Sequence, residues 1–325
     1  MNRALRPLVA TTAIFILAYM AAIWQFPAML STRVMGNLLT DNAFLGIAAV
    51  GMTFVIISGG IDLSVGAVIG FTTVLNAILI MWVGLHPFAA FAISLIIAAA
   101  FGAVMGAAIH YLKVPAFIVT LAGMFLARGG ASVLSPDSIG IKHDLYTSIS
   151  KSYILLPGGG RLTIIAMIML AVFAFGIILA HRTRFGSYVY ALGGSETSAA
   201  LMGVPVARTT ILIYTLSSTL AGLAGIVFSL YTSAGYSLSA LGVELDAIAA
   251  VVIGGTLLTG GYGFVAGTFI GVMLQGLVQT YIVFDGTLSS WWTKIVIGAL
   301  LFMFILLQRL VFSASAPSRK VFWKT

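Results

Sequence analysis

The chain has 325 residues, of which 61% are hydrophobic and only 7% charged, and its mean hydropathy is +1.14. Soluble domains carry roughly 25% charged residues, so the composition excludes a soluble domain and defines an integral membrane protein. There is no cysteine, which rules out a disulfide framework and thiolate metal ligation. The net charge of +8 is spread singly over the ends of apolar runs, as a positive-inside bias requires and a nucleic-acid surface does not.

The fold expected is all-α and polytopic, a single transmembrane unit over 1–325 with about ten spans, because apolar runs of about 20 residues recur along the whole chain. The first run, from Leu8 to Phe26, outlasts the core of about 7 to 15 residues in a secretory signal, so it reads as a retained span over 8–27. A second span over 43–58 leads into SGGIDLSVG at 58–66. Gly59 and Gly60 suit the left-handed backbone that closes a helix, and Asp62 suits a cap accepting from the free N–H groups of the next. A break of this kind near 58–62 persists in a membrane only inside a bundle, beside an aqueous path or at the inner membrane edge. Two compatible roles stay open for Asp62, a structural cap and contact with a solute or gate.

Spans over 63–83, 87–109 and 115–134 follow. GAVIG from Gly66 and GAVMG from Gly102 provide small-residue spacing for close helix contact. A long loop from Ser135 to Arg161 is expected outside, before a span over 162–180. The inner loop over 181–208 has an organised middle: Gly193 and Gly194 precede Ser195 as a cap, Glu196 opens a helix favourably for its dipole, and Gly203 and Pro205 end it. The short helix so predicted, Glu196–Met202, is either a connector on the headgroups or a surface for a partner to push. Ser195, Glu196, Thr197, Ser198, Leu201 and Met202 are its candidate coupling residues.

Spans over 209–231, 244–258 and 263–283 come next. AVVIGGTLLTGG from Ala250 echoes VIISGGIDLSVG from Val55, through duplicated halves or by chance. Gly263, Gly267 and Gly271 recur at four-residue spacing and continue into Gln275 and Gln279. Amides facing lipid are costly, so these two should face a helix or an aqueous route. Ser58, Ser64, Asn76 and Thr256 join Gly59, Gly60, Asp62 and the glutamines as path or gate candidates. Before the last span, 291–310, the Asp285–Gly286 turn and Trp291, Trp292 and Lys294 suit an interfacial belt.

An amino terminus inside puts Arg3, Arg6, Lys113, Arg182, Arg184, Arg208, Arg309, Arg319, Lys320 and Lys324 in the cytoplasm. Arg33, Arg128, Lys142, Lys151, Arg161 and Lys294 then lie outside, so the charge bias favours two cytoplasmic termini. No glycine precedes a lysine, so a phosphate loop is absent and the chain is not expected to hydrolyse ATP. H-E-x-x-H and G-x-S-x-G are also absent, and the four histidines stand far apart. Neither a catalytic nor a metal site is expected.

Three blocks, SGGIDLSVG at 58–66, TRFGSYVYALGGSETSAALMGV at 183–204 and ELDAIAAVVIGGTLLTGGYG at 244–263, resemble the permeases of bacterial ABC importers for sugars of the ribose and galactose type. DNAFLGIAAVGMTFVIISGGIDLSVG and FDGTLSSWWTKI are similar to a permease subunit of a galactofuranose importer. The resemblance implies a non-catalytic inner-membrane subunit binding no cofactor itself. Its partners would be an ATP-binding subunit with two nucleotide-binding domains, a second and non-identical permease chain, and a periplasmic sugar-binding protein. By the same resemblance Glu196–Met202 is the coupling helix, and the outer loop helps receive the binding protein. Another monosaccharide, ribose or a further pentose, and an ion-coupled secondary transporter are the alternatives. The latter would need intramembrane carboxylates, yet Asp41, Asp137, Asp144, Glu244, Asp246 and Asp285 fall at expected outer ends, leaving Asp62.

Overall fold

Apolar runs can satisfy their own backbone in lipid only as helices or closed barrels, and the structure, a computed structural model describing residues 6–313, is built of helices. The first half contains α1 (Arg6–Gln25), α2 (Thr32–Asp41), α3 (Ala43–Ile57), α4 (Val65–Met81), α5 (Pro87–Tyr111), α6 (Ala116–Leu134) and α7 (Asp144–Lys151). The second contains α8 (Ile164–Arg182), α9 (Arg184–Gly194), α10 (Glu196–Leu201), α11 (Val206–Thr232), α12 (Val243–Ile253), α13 (Val265–Asp285) and α14 (Trp291–Ser313). Strands β1 (Ile139–Gly140), β2 (Tyr153–Leu155), β3 (Arg161–Thr163) and β4 (Ala234–Gly235) make only two small antiparallel pairs, β1 with β4 and β2 with β3. Arg3, Arg319, Lys320 and Lys324, used above to orient the termini, lie outside the described residues.

Each expected span contains a helix, but the helices differ in reach. Among the described residues six are by themselves long and apolar enough to cross a membrane: α1, α5, α6, α8, α11 and α13. The span expected over 43–58 is the second limb of a longer element, since α2 and α3 together form one apolar segment bent by 55°. The span expected over 244–258 holds only the 11 residues of α12. At about 1.5 Å per residue these reach about 16 Å, roughly half of a hydrocarbon core. A partial crossing leaves polar helix ends that the surrounding bundle must satisfy.

Interior helices are set by small residues. In GAVMG, a Cβ on Gly102 would come within 2.3 Å of the Tyr214 carbonyl oxygen, and one on Gly106 within 2.7 Å of Ile211 Cα. Close packing of α5 on α11 follows, as the spacing suggests. GAVIG works differently. Its glycines make room for the Glu244 carboxylate at Gly66 and the Arg128 guanidinium at Gly70, and Arg128 donates to the carbonyls of Ser237 and Ser239 at 2.5 and 2.7 Å. Those bonds satisfy the irregular segment entering α12.

The region expected as a long loop from Ser135 to Arg161 is a folded cap. Tyr146 of α7 is buried and its Oη lies 3.1 Å from Ser229 Oγ in α11, and burial pushes the phenol up to about 12. The β2–β3 hairpin rests on α2, where Thr32 Oγ1 donates to the Pro157 carbonyl at 2.7 Å and the Gly160 N–H donates back to it at 3.2 Å.

Candidate functional site

The break after α3 closes with two bonds, Gly59 N–H to Ile56 O and Gly60 N–H to Val55 O, both 2.9 Å. Gly59 is left-handed at φ +84°, as the helix-closing role requires. Gly60 is not left-handed; it is small because a Cβ there would lie 2.4 Å from Tyr214 Oη. After α12 the same pair recurs, Gly255 N–H to Val252 O at 2.9 Å and Thr256 N–H to Val251 O at 3.2 Å, with Gly255 at φ +93°. The echo in sequence is therefore an echo in structure, displaced by one residue: Gly59 matches Gly255 rather than Gly254.

The two breaks touch. Gly261 N–H donates to the Ile57 carbonyl at 2.8 Å, and a Cβ on Gly260 would press 2.8 Å from Gly59 N. A third glycine completes the junction. A Cβ on Gly193, near the end of α9, would fall 1.8 Å from Ile57 O and 2.5 Å from Gly261 N, so only glycine admits this approach. Tyr190 adds a bond from its hydroxyl to the Gly263 carbonyl at 2.7 Å; burial, and then the neighbouring Tyr262, push this phenol up to about 12.

Helix α9 itself was not expected. Its signal was present: Thr183 Oγ1 accepts from Gly186 N–H at 3.2 Å as the N-cap, and Phe185, Val189 and Leu192 recur at helical spacing. Gly193 and Gly194 accordingly end α9 as well as precede Ser195.

Asp62 is fully buried in the break. Its Oδ1 accepts from the Ser64 N–H at 2.9 Å and the Ser64 hydroxyl at 2.6 Å, and its Oδ2 from the Ser217 hydroxyl at 2.8 Å. It thus holds the turn before α4, whose N-cap is Ser64 rather than Asp62 as expected, and fastens the break to α11. Ser217, invisible to motif reasoning, is the partner that makes this burial tolerable. Ser58 bonds locally, its hydroxyl donating to Val55 O at 2.7 Å.

Helix α10 is capped as expected, with Ser195 Oγ accepting from Ser198 N–H at 3.2 Å and Gly203 left-handed at φ +82°. Met202 is its C-cap residue rather than its last helical one. Only Ala199 faces inward; Glu196, Thr197 and Ser198 are exposed, as are Leu201 at 85% and Met202 at 72%. Glu196 lies 3.8 Å from Lys113 across exposed surface, a pairing of little energetic weight.

The remaining candidates scatter. Asn76 is buried between α4 and α5, accepting from the Ser94 hydroxyl at 2.7 Å. Thr256 is buried at the junction beside Gly263. Gln275 and Gln279 line a cleft of about 540 Å³ at the far ends of α3, α11, α12 and α13 from the glycine junction. Trp291 and Lys294 form part of its wall, so they do more than mark an interface. Gly267 and Gly271 pack against the Gly254 and Ala250 carbonyls, whereas Gly263 precedes α13 and contacts Thr256.

Two interrupted helices, joined backbone to backbone beneath a surface helix in a polytopic bundle, are the construction of a transport protein. Residues 34–305 match the family described as "Branched-chain amino acid transport system / permease component", and the chain belongs to that family. It is 62% identical over 303 residues to the inner membrane ABC transporter permease protein YjfF of Escherichia coli K12, covering 93% of this chain and 92% of that one. It is 37% identical over 325 residues to the fructose import permease protein FruG of Bifidobacterium longum, covering 98% and 95%. The ribose import permease protein RbsC of Escherichia coli K12 is 37% identical over 277 residues, 84% of each chain. No solved structure matches.

Proposed function

We propose that this chain is the membrane-spanning permease subunit of an ATP-driven importer for a monosaccharide, galactofuranose by the resemblance of its sequence blocks. It resides in the bacterial inner membrane with both termini and α10 in the cytoplasm. Its partners are an ATPase with two nucleotide-binding domains, a second and non-identical permease chain, and a periplasmic sugar-binding protein. ATP is consumed by the partner, and this chain supplies the path.

One observation carries the reading. Exposed α10 follows α9 directly, and Gly193 of α9 is wedged between Ile57 O and Gly261 N, the backbone link between both breaks. A push on α10 by a nucleotide-driven partner is therefore delivered to α3 and α12 together, through groups too closely packed to yield independently. Helices α3 and α12 then shift or hinge at Gly59 and Gly255, exchanging an inward-open for an outward-open arrangement. The ribose and fructose named for two relatives support a sugar as cargo.

Reconstitution tests this. Proteoliposomes holding the chain with its co-purifying subunits should accumulate radiolabelled sugar only with ATP on the α10 side and binding protein opposite. Uphill uptake by the isolated chain would overturn the proposal. Uptake of branched-chain amino acids instead of sugars would overturn the cargo.

A further inference from the structure

We infer that the cleft at the far ends of α3, α11, α12 and α13 is a binding site for one neutral monosaccharide, an assignment that rests on the sugar-importer reading above. Its volume, about 540 Å³, falls in the range of roughly 300 to 1,000 Å³ for small-molecule sites.

The wall chemistry selects the ligand. Lys294 Nζ bonds both oxygens of Asp246, at 2.7 and 2.6 Å. This commits two of its three N–H groups and cancels one charge of each sign. The Tyr231 hydroxyl donates to Asp41 Oδ1 at 3.0 Å, leaving the other Asp41 oxygen and the phenol's lone pairs for a ligand. Two carboxylates against one ammonium leave the cleft net negative, which disfavours phosphorylated or acidic solutes. Gln275 is buried and anchored, its amide N–H donating to the Asp246 carbonyl at 3.0 Å. Gln279 is exposed at the mouth.

The donors and acceptors gathered on Gln275, Gln279, Asp41 and Tyr231 suit vicinal hydroxyls. The indole of Trp291, 76% exposed, offers an apolar face to the C–H side of a sugar ring. The rest of the lining, Phe44, Leu45, Val243, Ile282, Val283 and Ile297, is apolar and can meet the C–H faces of the same ring. The cleft also has a lever. Helix α12 carries Asp246 on its first turn and runs directly into Gly254 and Gly255 at the glycine junction, so one rigid element of about 16 Å spans cleft and break.

This chain has no cysteine of its own, so labelling followed on this chain alone reports the introduced thiol. Gln279→Cys and Trp291→Cys are introduced singly, with exposed Ser150→Cys on α7 as reference, in the complex purified into nanodiscs with its membrane and ATPase subunits and without the binding protein. Labelling by a hydrophilic maleimide is followed with D-galactose, D-fructose, D-ribose, galactose 6-phosphate or leucine present. At about ten times its Kd a neutral sugar should slow labelling at the two cleft positions about tenfold, since the free fraction falls as 1/(1 + [L]/Kd), and leave Ser150→Cys unchanged. Protection by leucine or the sugar phosphate but by no neutral sugar overturns the assignment. So does equal labelling with and without a sugar that the same complex transports in proteoliposomes, and that outcome leaves the importer reading intact. Transport of no sugar at all strikes the importer reading instead.

Discussion

The N–H of Gly261 donates to the carbonyl of Ile57 over 2.8 Å, so a residue in the segment between α12 and α13 satisfies the last carbonyl of α3. This bond joins two helix ends that are remote in sequence, and Gly193 packs against both of its partners.

Gly193→Ala tests that wedge. Its Cβ would fall 1.8 Å from Ile57 O, against backbone that cannot rotate away, so overpacking should cost about 1 to 3 kcal/mol. The expected result is a lowered thermal midpoint in detergent and a larger loss of transport. Gly194→Ala meets no atom within 4 Å and should transport normally; equal defects in the two variants would remove Gly193 from the linkage.

At Asp62 the question is hydrogen bonding against charge. Asp62→Asn retains an acceptor for Ser64 or Ser217, whereas Asp62→Leu leaves the buried donors of both unsatisfied, at about 1 to 3 kcal/mol each. Thermal unfolding should rank wild type above Asn above Leu. Identical midpoints for Asn and Leu would mean that the three bonds contribute nothing to holding the break.

For α10, Leu201→Glu and Met202→Glu alter only exposed side chains, so chain stability should change by no more than about 0.5 kcal/mol. Co-purification of the ATPase should fall sharply, and transport with it. Retention of a full ATPase complement would show that this tip is not the contact. Ser195→Ala should weaken α10 by about 0.5 to 2 kcal/mol through loss of its cap, seen as faster amide exchange over 196–201.

Tyr190 predicts a pH dependence. Its phenol is held up to about 12 against about 10 when unfolded, so the folded state keeps its proton longer. The resulting stability is fully present below pH 10 and is lost as pH rises from about 10 to 12. Tyr190→Phe should flatten that segment of the curve and lower stability below it by about 1 kcal/mol through the lost bond to Gly263. An unchanged alkaline limb would contradict the assignment of this proton.

Much of the fold was legible because lipid leaves few options: runs without charge or proline must be helices, and a Gly-Gly-x-Asp interruption must be a protected break. The α10 cap could be read from Ser195, Glu196 and Gly203, since capping depends on neighbours in the chain. Helix α2 was less legible, because Thr32–Asp41 mixes polar and apolar residues and gains its burial from α13 and the β2–β3 hairpin.

The sequence by itself determined a helical membrane body, the glycine-marked break after α3 and a short surface helix, because each of these follows from local backbone needs and from the cost of placing polar groups in hydrocarbon. Only the tertiary structure decided that both breaks meet at Gly193, that Asp62 is answered by Ser217, and that Gln275 and Gln279 share a cleft with Asp41 and Lys294. Those relations join residues far apart along the chain, and no local preference encodes which distant backbone will lie within 3 Å of a given glycine.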